Sequence, residues 1–274
     1  MTTVRQLLHG ARARLAEPSE ADWLLAHLLG RPRSWLIAHA DDVLGSDQKA
    51  ALEALLLRRE GGEPVAYITG RQGFWSLELE VSAATLIPRP ETELLVEQAL
   101  LRLPSNAVLE IIDLGTGSGA IALALAKERP CWKITASDAS AAALAVARRN
   151  AQRLQLGHVR FMEGDWLGPL AGQRFDAIIS NPPYIEADDP HLQRGDLRFE
   201  PASALAAGPD GLDDIRRIVD TSRAHLKAHG WLLFEHGWNQ GDAVRGLLES
   251  GQYTDVFTAK DLEGRDRVSG GRYG

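Results

Sequence analysis

Apolar side chains recur at two different periods along this chain, and the change between them marks where its parts meet. Over the first 60 residues the spacing is helical. Val4, Leu7, Leu8, Ala11 and Leu15 share one face, and Leu24, Leu25, Leu28 and Leu29 share another behind a capping-box-like start at Ser19-Glu20-Ala21-Asp22, with Gly30 placed to end that helix. A third segment surrounds Trp35, Leu36 and Ile37, and a fourth runs from an Asp47 cap through Leu52, Leu55 and Leu56 to Gly61-Gly62. Together these predict a small helical bundle. From Trp75 the period drops to two: Trp75, Leu77, Leu79 and Val81 alternate with Ser76, Glu78 and Glu80. A second short strand is expected at Thr85-Leu86-Ile87, so a β-hairpin would join the bundle to the rest.

Beyond Pro88-Arg89-Pro90 a helix carries Leu94, Leu95 and Val96, and strands then alternate with helices. The strands are expected at 107–114, 132–137 (closed by Asp138), 159–162, 175–180 and 231–235, with helices near 118–129, 140–154 and 213–228. Such βαβ alternation builds a doubly wound, mostly parallel α/β sheet with helices on both faces, and its ligands lie beyond the carboxyl ends of the strands. The expected organisation is a helical domain over residues 1–72, a hairpin linker over 73–88 and an α/β domain over 89–274.

With 274 residues, 45% of them apolar and 24% charged, the chain has the make-up of a globular protein with a real core rather than a disordered or collagen-like one. The start, Met1-Thr2-Thr3-Val4-Arg5-Gln6, has no basic segment leading into an apolar one, and no apolar run reaches the ~18 residues of a membrane span. One cysteine, Cys131, allows neither an internal disulfide nor a multi-cysteine zinc site, so a cytoplasmic protein away from membranes is expected. Thirty basic side chains face 37 acidic ones; nine of each fall in residues 1–75, so the net charge of −7 lies entirely in the remainder. A protein that neutralises many phosphates needs a basic face. None is evident, and nucleic acid is not an expected partner.

Chemistry concentrates at the predicted strand ends. Asp113-Leu114-Gly115-Thr116-Gly117-Ser118-Gly119 follows the first strand of the α/β part and opens a helix, which allows a tight turn and brings a ligand close to backbone N–H groups. About 20 residues on, Asp138 ends the next strand, where an acid accepts hydrogen bonds from the ribose hydroxyls of an adenosine cofactor. This pair leaves a nicotinamide dinucleotide and S-adenosylmethionine both open. At the following strand end, Asp165 and Trp166 could frame an adenine amino group and ring.

The sharpest signal is Asn181-Pro182-Pro183-Tyr184, directly after the strand ending in Ser180. Consecutive prolines stiffen the backbone and offer carbonyls without N–H groups. Such a turn suits a planar NH₂: the Asn181 side-chain oxygen and the Pro182 carbonyl each take one hydrogen, and the Tyr184 ring packs on the flat face.

With these residues in view the chain resembles the class I S-adenosylmethionine-dependent methyltransferases, and more narrowly the PrmC/HemK family, which methylates the side-chain nitrogen of a glutamine in peptide chain release factors. The likeness is dense from Pro64 onward, through Thr85-Leu86-Ile87-Pro88-Arg89-Pro90-Glu91-Thr92-Glu93, the Gly115 turn, Asn181 to Tyr184, Arg198-Phe199-Glu200-Pro201 and Glu235-His236-Gly237-Trp238. It implies a Rossmann-like sheet with a small N-terminal bundle that docks the protein substrate. It also implies S-adenosylmethionine as methyl donor, S-adenosylhomocysteine as product, and the glutamine of a Gly-Gly-Gln tripeptide as acceptor. Cofactor contacts then map onto Gly115, Thr116, Gly117, Ser118, Gly119, Asp138, Trp166 and Asn181, and substrate contacts onto Asn181, Pro182, Pro183 and Tyr184. Ser137 departs slightly from the pattern, standing where a small apolar residue is usual.

Other readings of the same residues are a ribosomal-protein glutamine as acceptor, an exocyclic amino group of a nucleic-acid base, a nicotinamide-dependent oxidoreductase, and a non-catalytic cofactor-binding scaffold. A flipped base needs its backbone held, which the −7 charge disfavours; Asn-Pro-Pro-Tyr supplies no acid or base for hydride transfer. His225 and His229, four apart, have no third ligand in view, and no metal is expected. Glu91, Thr92 and Glu93 read most simply as helix-start residues. Arg89, Glu235 and His236 carry no assigned role.

Overall fold

A computed structural model describes residues 2–274, and the chain divides into two compact units: residues up to 71 with 194–199, and 72–193 with 200–274.

In the first unit, strand β1 (Thr2–Thr3) leads into α1 (Val4–Arg12), followed by α2 (Glu20–Leu29), α3 (Arg33–Ala38), β2 (Val43–Leu44), α4 (Ser46–Glu60) and α5 (Val65–Thr69). Val4, Leu8, Ala11, Leu24, Leu25, Leu36, Leu52 and Leu56 form its core, as the helical period predicts. The caps differ from expectation. Ser19 is αR and makes no side-chain cap; the reciprocal cap is Thr3 with Gln6, whose backbone N–H donates to the Thr3 hydroxyl while its side chain accepts from Thr3 N–H. Helix α4 starts a residue before Asp47, with Gln48 accepting from Gly45 N–H. The segment 194–199 belongs to this unit: Arg59 joins Glu20 and Asp196, and Arg198 donates to the Gly61 carbonyl.

The hairpin is β3 (Arg71–Phe74) with β4 (Leu77–Glu80). The second strand expected at 85–87 does not form, and Trp75, expected in a strand, is the turn at φ +55°. Trp75 is held there by Glu93, which accepts its backbone N–H, and by Glu128, which accepts its indole N–H. Alternation counted Trp75 into the strand because its side chain is apolar, but these two carboxylates fix it as a corner.

The second unit continues with α6 (Glu93–Arg102), β5 (Glu110–Leu114), α7 (Ala120–Glu128), β6 (Lys133–Asp138), α8 (Ala141–Arg153), β7 (Arg160–Glu163), β8 (Phe175–Ser180), α9 (Asp213–Ser222), β9 (Leu226–Glu235), α10 (Gly241–Ser250), β10 (Tyr253–Lys260) and β11 (Asp266–Tyr273). The seven-stranded sheet has the order β10-β11-β9-β8-β5-β6-β7, parallel except for β11 against both β9 and β10. Successive strand residues face opposite ways. Ile111, Ile134 and Ile179 join the core under α6 and α7, whereas Ile112, Ile178, Leu232 and Phe234 join the one under α9 and α10. Burial on both faces is why these strands read as unbroken apolar runs.

The doubly wound expectation is met, with two differences. Helix α9 stops at Ser222, because Leu226 is buried in the sheet and opens β9 with a bulge against β8, where His229 takes φ +65°. Beyond Glu235, where the sequence pattern gives no further strand, β10 and β11 add an antiparallel edge. The chain winds outward from β5 in both directions, through β6 and β7 on one side and β8 and β9 on the other, and so leaves a crevice at the carboxyl ends of β5 and β8.

Candidate active site

That crevice holds a cavity of about 400 Å³, within the usual range of small-molecule sites. Gly115 and Gly117 line it from the turn after β5, Asp138 from the end of β6, Asp165 and Trp166 from beyond β7, and Asn181 and Pro183 from beyond β8. Thr116, Ser118, Gly119, Pro182 and Tyr184 do not form its wall among the described residues.

The Gly-rich turn is built around Asp113, wholly buried at the end of β5. One of its oxygens, Oδ2, accepts from the Thr116 hydroxyl at 2.5 Å and from Ala122 N–H at 3.2 Å, tying the turn to the first residues of α7. Its other oxygen has no partner among the described residues, and burial pushes the carboxyl up to about 7 against those two hydrogen bonds. Gly119 caps α7 at φ +87°, where a side chain would also meet Leu123 at 3.0 Å and Ala147 at 3.3 Å; no other residue type satisfies both constraints. Asp138 closes the far side of the turn: Oδ2 accepts from Gly117 N–H and Oδ1 from Ser140 N–H, both at 2.8 Å. Each oxygen keeps a lone pair for a ligand.

A Cβ at Gly115 would sit 3.4 Å from the Trp166 ring, so a side chain there would crowd the wall that this indole forms. Trp166 is held at φ +47°, its indole N–H donating to Asp214 at 3.1 Å; burial raises the Asp214 carboxyl above its ordinary range. Asp165 accepts two hydrogen bonds from Arg217. The upper rim consists of Ala84, Thr85 and Leu86 on one side and Pro201, Ser203 and Ala204 on the other. Glu200, buried behind them, accepts from Ile87 N–H at 3.0 Å and from the Arg89 guanidinium, joining the two rims.

At the end of β8, the Ser180 hydroxyl donates to the Leu114 carbonyl and fixes Asn181 beside the Gly-rich turn. The Asn181 amide N–H donates to the Thr92 hydroxyl at 3.1 Å. Tyr184 turns its hydroxyl to Glu235 at 3.2 Å, and its carbonyl accepts from Gln240; burial raises the Tyr184 hydroxyl well above the ordinary phenol range. Glu235 is buried and pushed up to about 7 by that burial, opposed by hydrogen bonds from Thr92 and Tyr184. His236 has a structural role. Its Nδ1–H donates to the Gly237 carbonyl and its Nε2 accepts from Ser269, with burial lowering its basicity. His225 meets the Gln173 carbonyl, far from any such cluster.

Asp214, Arg217 and the 201–204 rim carry no sequence pattern that marks them as site residues. Only the Arg198-Phe199-Glu200-Pro201 motif pointed toward them.

A doubly wound sheet of this order, with a Gly-rich turn on β5, an acid closing β6 and an acceptor turn on β8, is that of a class I methyltransferase. A crystal structure of a methyltransferase from Pyrococcus furiosus shares the fold with a TM-score of 0.56 at 17% identity, covering 81% of this chain and 98% of that one. Residues 90–202 match the methyltransferase small domain and residues 6–70 the PrmC N-terminal domain. The release factor glutamine methyltransferase of Xylella fastidiosa (strain Temecula1) is 54% identical over 266 residues, 97% of this chain and 96% of the relative. That of Escherichia coli (strain K12) is 49% identical over 270 residues, 98% and 97% of the two chains. The chain belongs to the release factor glutamine methyltransferase family. Among the described residues no helix is long and apolar enough to cross a membrane.

Proposed function

We propose that this protein methylates the N5 amide nitrogen of the glutamine in the Gly-Gly-Gln tripeptide of bacterial peptide chain release factors, in the cytoplasm, with S-adenosylmethionine as donor. The single observation that carries this reading is Asn181 standing on the cavity wall beside the Gly-rich turn, its amide N–H already engaged by Thr92. The donor set fits an adenosine ligand: Asp138 keeps lone pairs for two ribose hydroxyls, Trp166 offers a ring face opposite Gly115, and Arg217, the one guanidinium on the wall among the described residues, is paired with Asp165. Gly115 to Gly119 would cradle the amino-acid part against the start of α7, while Asp165 and Trp166 would hold the base. When bound, S-adenosylmethionine supplies an electrophilic methyl carbon on a sulfonium and leaves as S-adenosylhomocysteine.

The acceptor is a poor nucleophile, since the lone pair of a carboxamide nitrogen is delocalised. Asn181 and Pro182 answer this by placement. A side-chain oxygen and a proline carbonyl, each accepting one amide hydrogen, fix the plane of the group and stabilise positive charge that develops on nitrogen. The Tyr184 ring would pack on the amide face. No strong base stands on the cavity wall, and proton loss can follow transfer. The helical unit would dock the release factor.

The test is incubation with labelled S-adenosylmethionine and, separately, a release factor, ribosomal proteins and oligonucleotides, with the label mapped by mass spectrometry. Label on the Gly-Gly-Gln glutamine is expected; label confined to ribosomal protein or to bases overturns the reading. Asn181→Ala is expected to lower turnover at least ~100-fold, the scale of losing one preorganised transition-state contact, with S-adenosylhomocysteine affinity only moderately reduced. A turnover number near wild type would remove Asn181 from this role.

A further inference from the structure

Gln240 caps the start of α10, where three loops meet beyond the carboxyl ends of β8 and β9. It is 8% exposed. Among the described residues its carboxamide makes three hydrogen bonds, all to backbone. Oε1 accepts from Gly237 N–H at 2.8 Å, in the turn after β9. Nε2 donates to the Tyr184 carbonyl at 3.0 Å, at the end of the acceptor turn, and to the Asp210 carbonyl at 3.2 Å, in the loop that leads into α9. Helix α9 in turn holds the cofactor wall, through Asp214 on Trp166 and Arg217 on Asp165. We propose that Gln240 is a positioning residue for the transfer: its NH₂ fixes Tyr184, and with it the turn that presents the substrate amide, against the loop that carries the cofactor wall.

The orientation of this carboxamide is set by what it faces. A carbonyl oxygen only accepts and a backbone N–H only donates. Turned end for end, the side chain would put its oxygen against two carbonyls and its NH₂ against an N–H, and all three bonds would be lost. Gly211 shows how closely the parts are drawn together. It lies at φ +73°, and a Cβ there would stand 2.2 Å from the Tyr184 carbonyl oxygen and 2.8 Å from Gln240 Nε2, so only glycine lets the loop pass. The two carbonyls differ in what else holds their residues. Asp210 is also anchored by its carboxylate, which accepts from Leu212 N–H and from the Arg216 guanidinium. The Tyr184 carbonyl has Gln240 as its one partner among the described residues. Without the Gln240 NH₂ the α9 loop keeps its own anchors, and the peptide group of Tyr184 is the part set free. Pro182 and Pro183 leave little slack between Tyr184 and Asn181, so a displacement at Tyr184 passes to the cavity wall on which Asn181 stands.

This inference rests on the proposed role of the acceptor turn, and the experiment separates the two. In full-length enzyme with a release factor as substrate, Gln240→Met keeps the length of the side chain and removes its donors and acceptor. Turnover is counted per cofactor site, with sites titrated calorimetrically by S-adenosylhomocysteine. On that basis kcat should fall roughly 10- to 100-fold, the scale on which a displacement of about 1 Å acts. The KM for release factor and the Kd for S-adenosylhomocysteine should each stay within about threefold of wild type, because those contacts are made elsewhere. Gly211→Ala reaches the same contact with Gln240 intact and should give the same split. A role in folding alone would instead leave fewer sites, each turning over at the wild-type rate, and that result overturns the proposal. So does a Kd for S-adenosylhomocysteine that weakens in step with kcat. A kcat per site within about threefold of wild type in Gln240→Met, with Asn181→Ala inactive, defeats the role of Gln240 while sparing that of the turn. Should Asn181→Ala itself turn over normally, the reading of the turn fails and this inference with it. If Gln240→Met does not fold, Gly211→Ala decides alone.

Discussion

Asp113 is the residue at which the fold and the cofactor turn are the same problem. Its carboxyl is pushed up to about 7 by burial, against 3.8 when exposed. Between those values the unfolded chain has lost this proton and the folded one keeps it, so stability falls as pH rises from about 4 to about 7 and levels off above. Glu235, also raised to about 7 by burial, adds to the same slope. Asp113→Asn mimics the neutral form: its oxygen can accept from Thr116 and Ala122, and its NH₂ takes the place of the unpartnered Oδ1. The variant is expected to melt above wild type by a margin that widens from pH 5 to pH 8, the two converging only below about pH 4; parallel Tm curves from pH 5 to pH 8 would show that Asp113 does not titrate as described. The residues that could be read from sequence are those whose meaning is local. Gly115, Asp138 and Asn181 stand at strand ends, where spacing alone gives their position. Thr92 lies 89 residues from the amide it engages, and in sequence it is a helix-start threonine like any other.

At the level of elements, sheet strands with apolar runs on both faces were legible, and so was the helical bundle, because burial imposes the period directly. Three things were not. The partner strand of the hairpin, β3, reads Arg-Gln-Gly-Phe and has one buried side chain, too few to show alternation. Strand β11 carries Gly270 and Gly271 where a Cβ would meet Leu233 at 2.5 Å and Tyr253 at 2.8 Å, so close packing has removed the side chains a pattern needs. The segment 84–89 is irregular and is held by Glu200 rather than by a strand ladder. That last feature has a consequence for function, since both rims of the cavity hang on one buried carboxylate. Glu200→Ala leaves Ile87 N–H without its acceptor and the Arg89 guanidinium without its partner. Losing one member of such a buried pair typically costs about 3–5 kcal/mol, and the segments it joins line the cofactor cavity. Weaker S-adenosylhomocysteine binding, by about tenfold or more, is expected together with a lower Tm. Calorimetric titration checks the first; wild-type affinity in a destabilised variant would limit Glu200 to a role in stability.

Over the whole molecule, charge and exposed apolar surface are unevenly shared. The first 75 residues are neutral, and the remaining ones carry the net charge of −7. The helical unit leaves Ile37 82% exposed and Trp23 53% exposed, with the Arg33 guanidinium 4.6 Å from the Trp23 ring centroid. Neither side chain is needed for the core of that unit, whose buried set is Val4, Leu24, Leu25, Leu52 and their neighbours. Single exposed apolar residues are common and mean little; what gives these two weight is the proposed docking role of the unit that carries them. Aromatic side chains are also favoured anchors at protein interfaces. Replacing both with alanine should leave Tm within the small range of surface substitutions and leave S-adenosylhomocysteine Kd unchanged. With intact release factor, KM should rise about tenfold at nearly constant kcat, the signature of lost binding that is the same in ground and transition states. A short peptide containing Gly-Gly-Gln, which has no surface to dock, should be methylated with equal kcat/KM by the wild type and the double variant. If the variant instead keeps its KM for the intact factor, these two side chains are not where the substrate docks; if kcat falls with both substrates, the substitutions have reached the site itself.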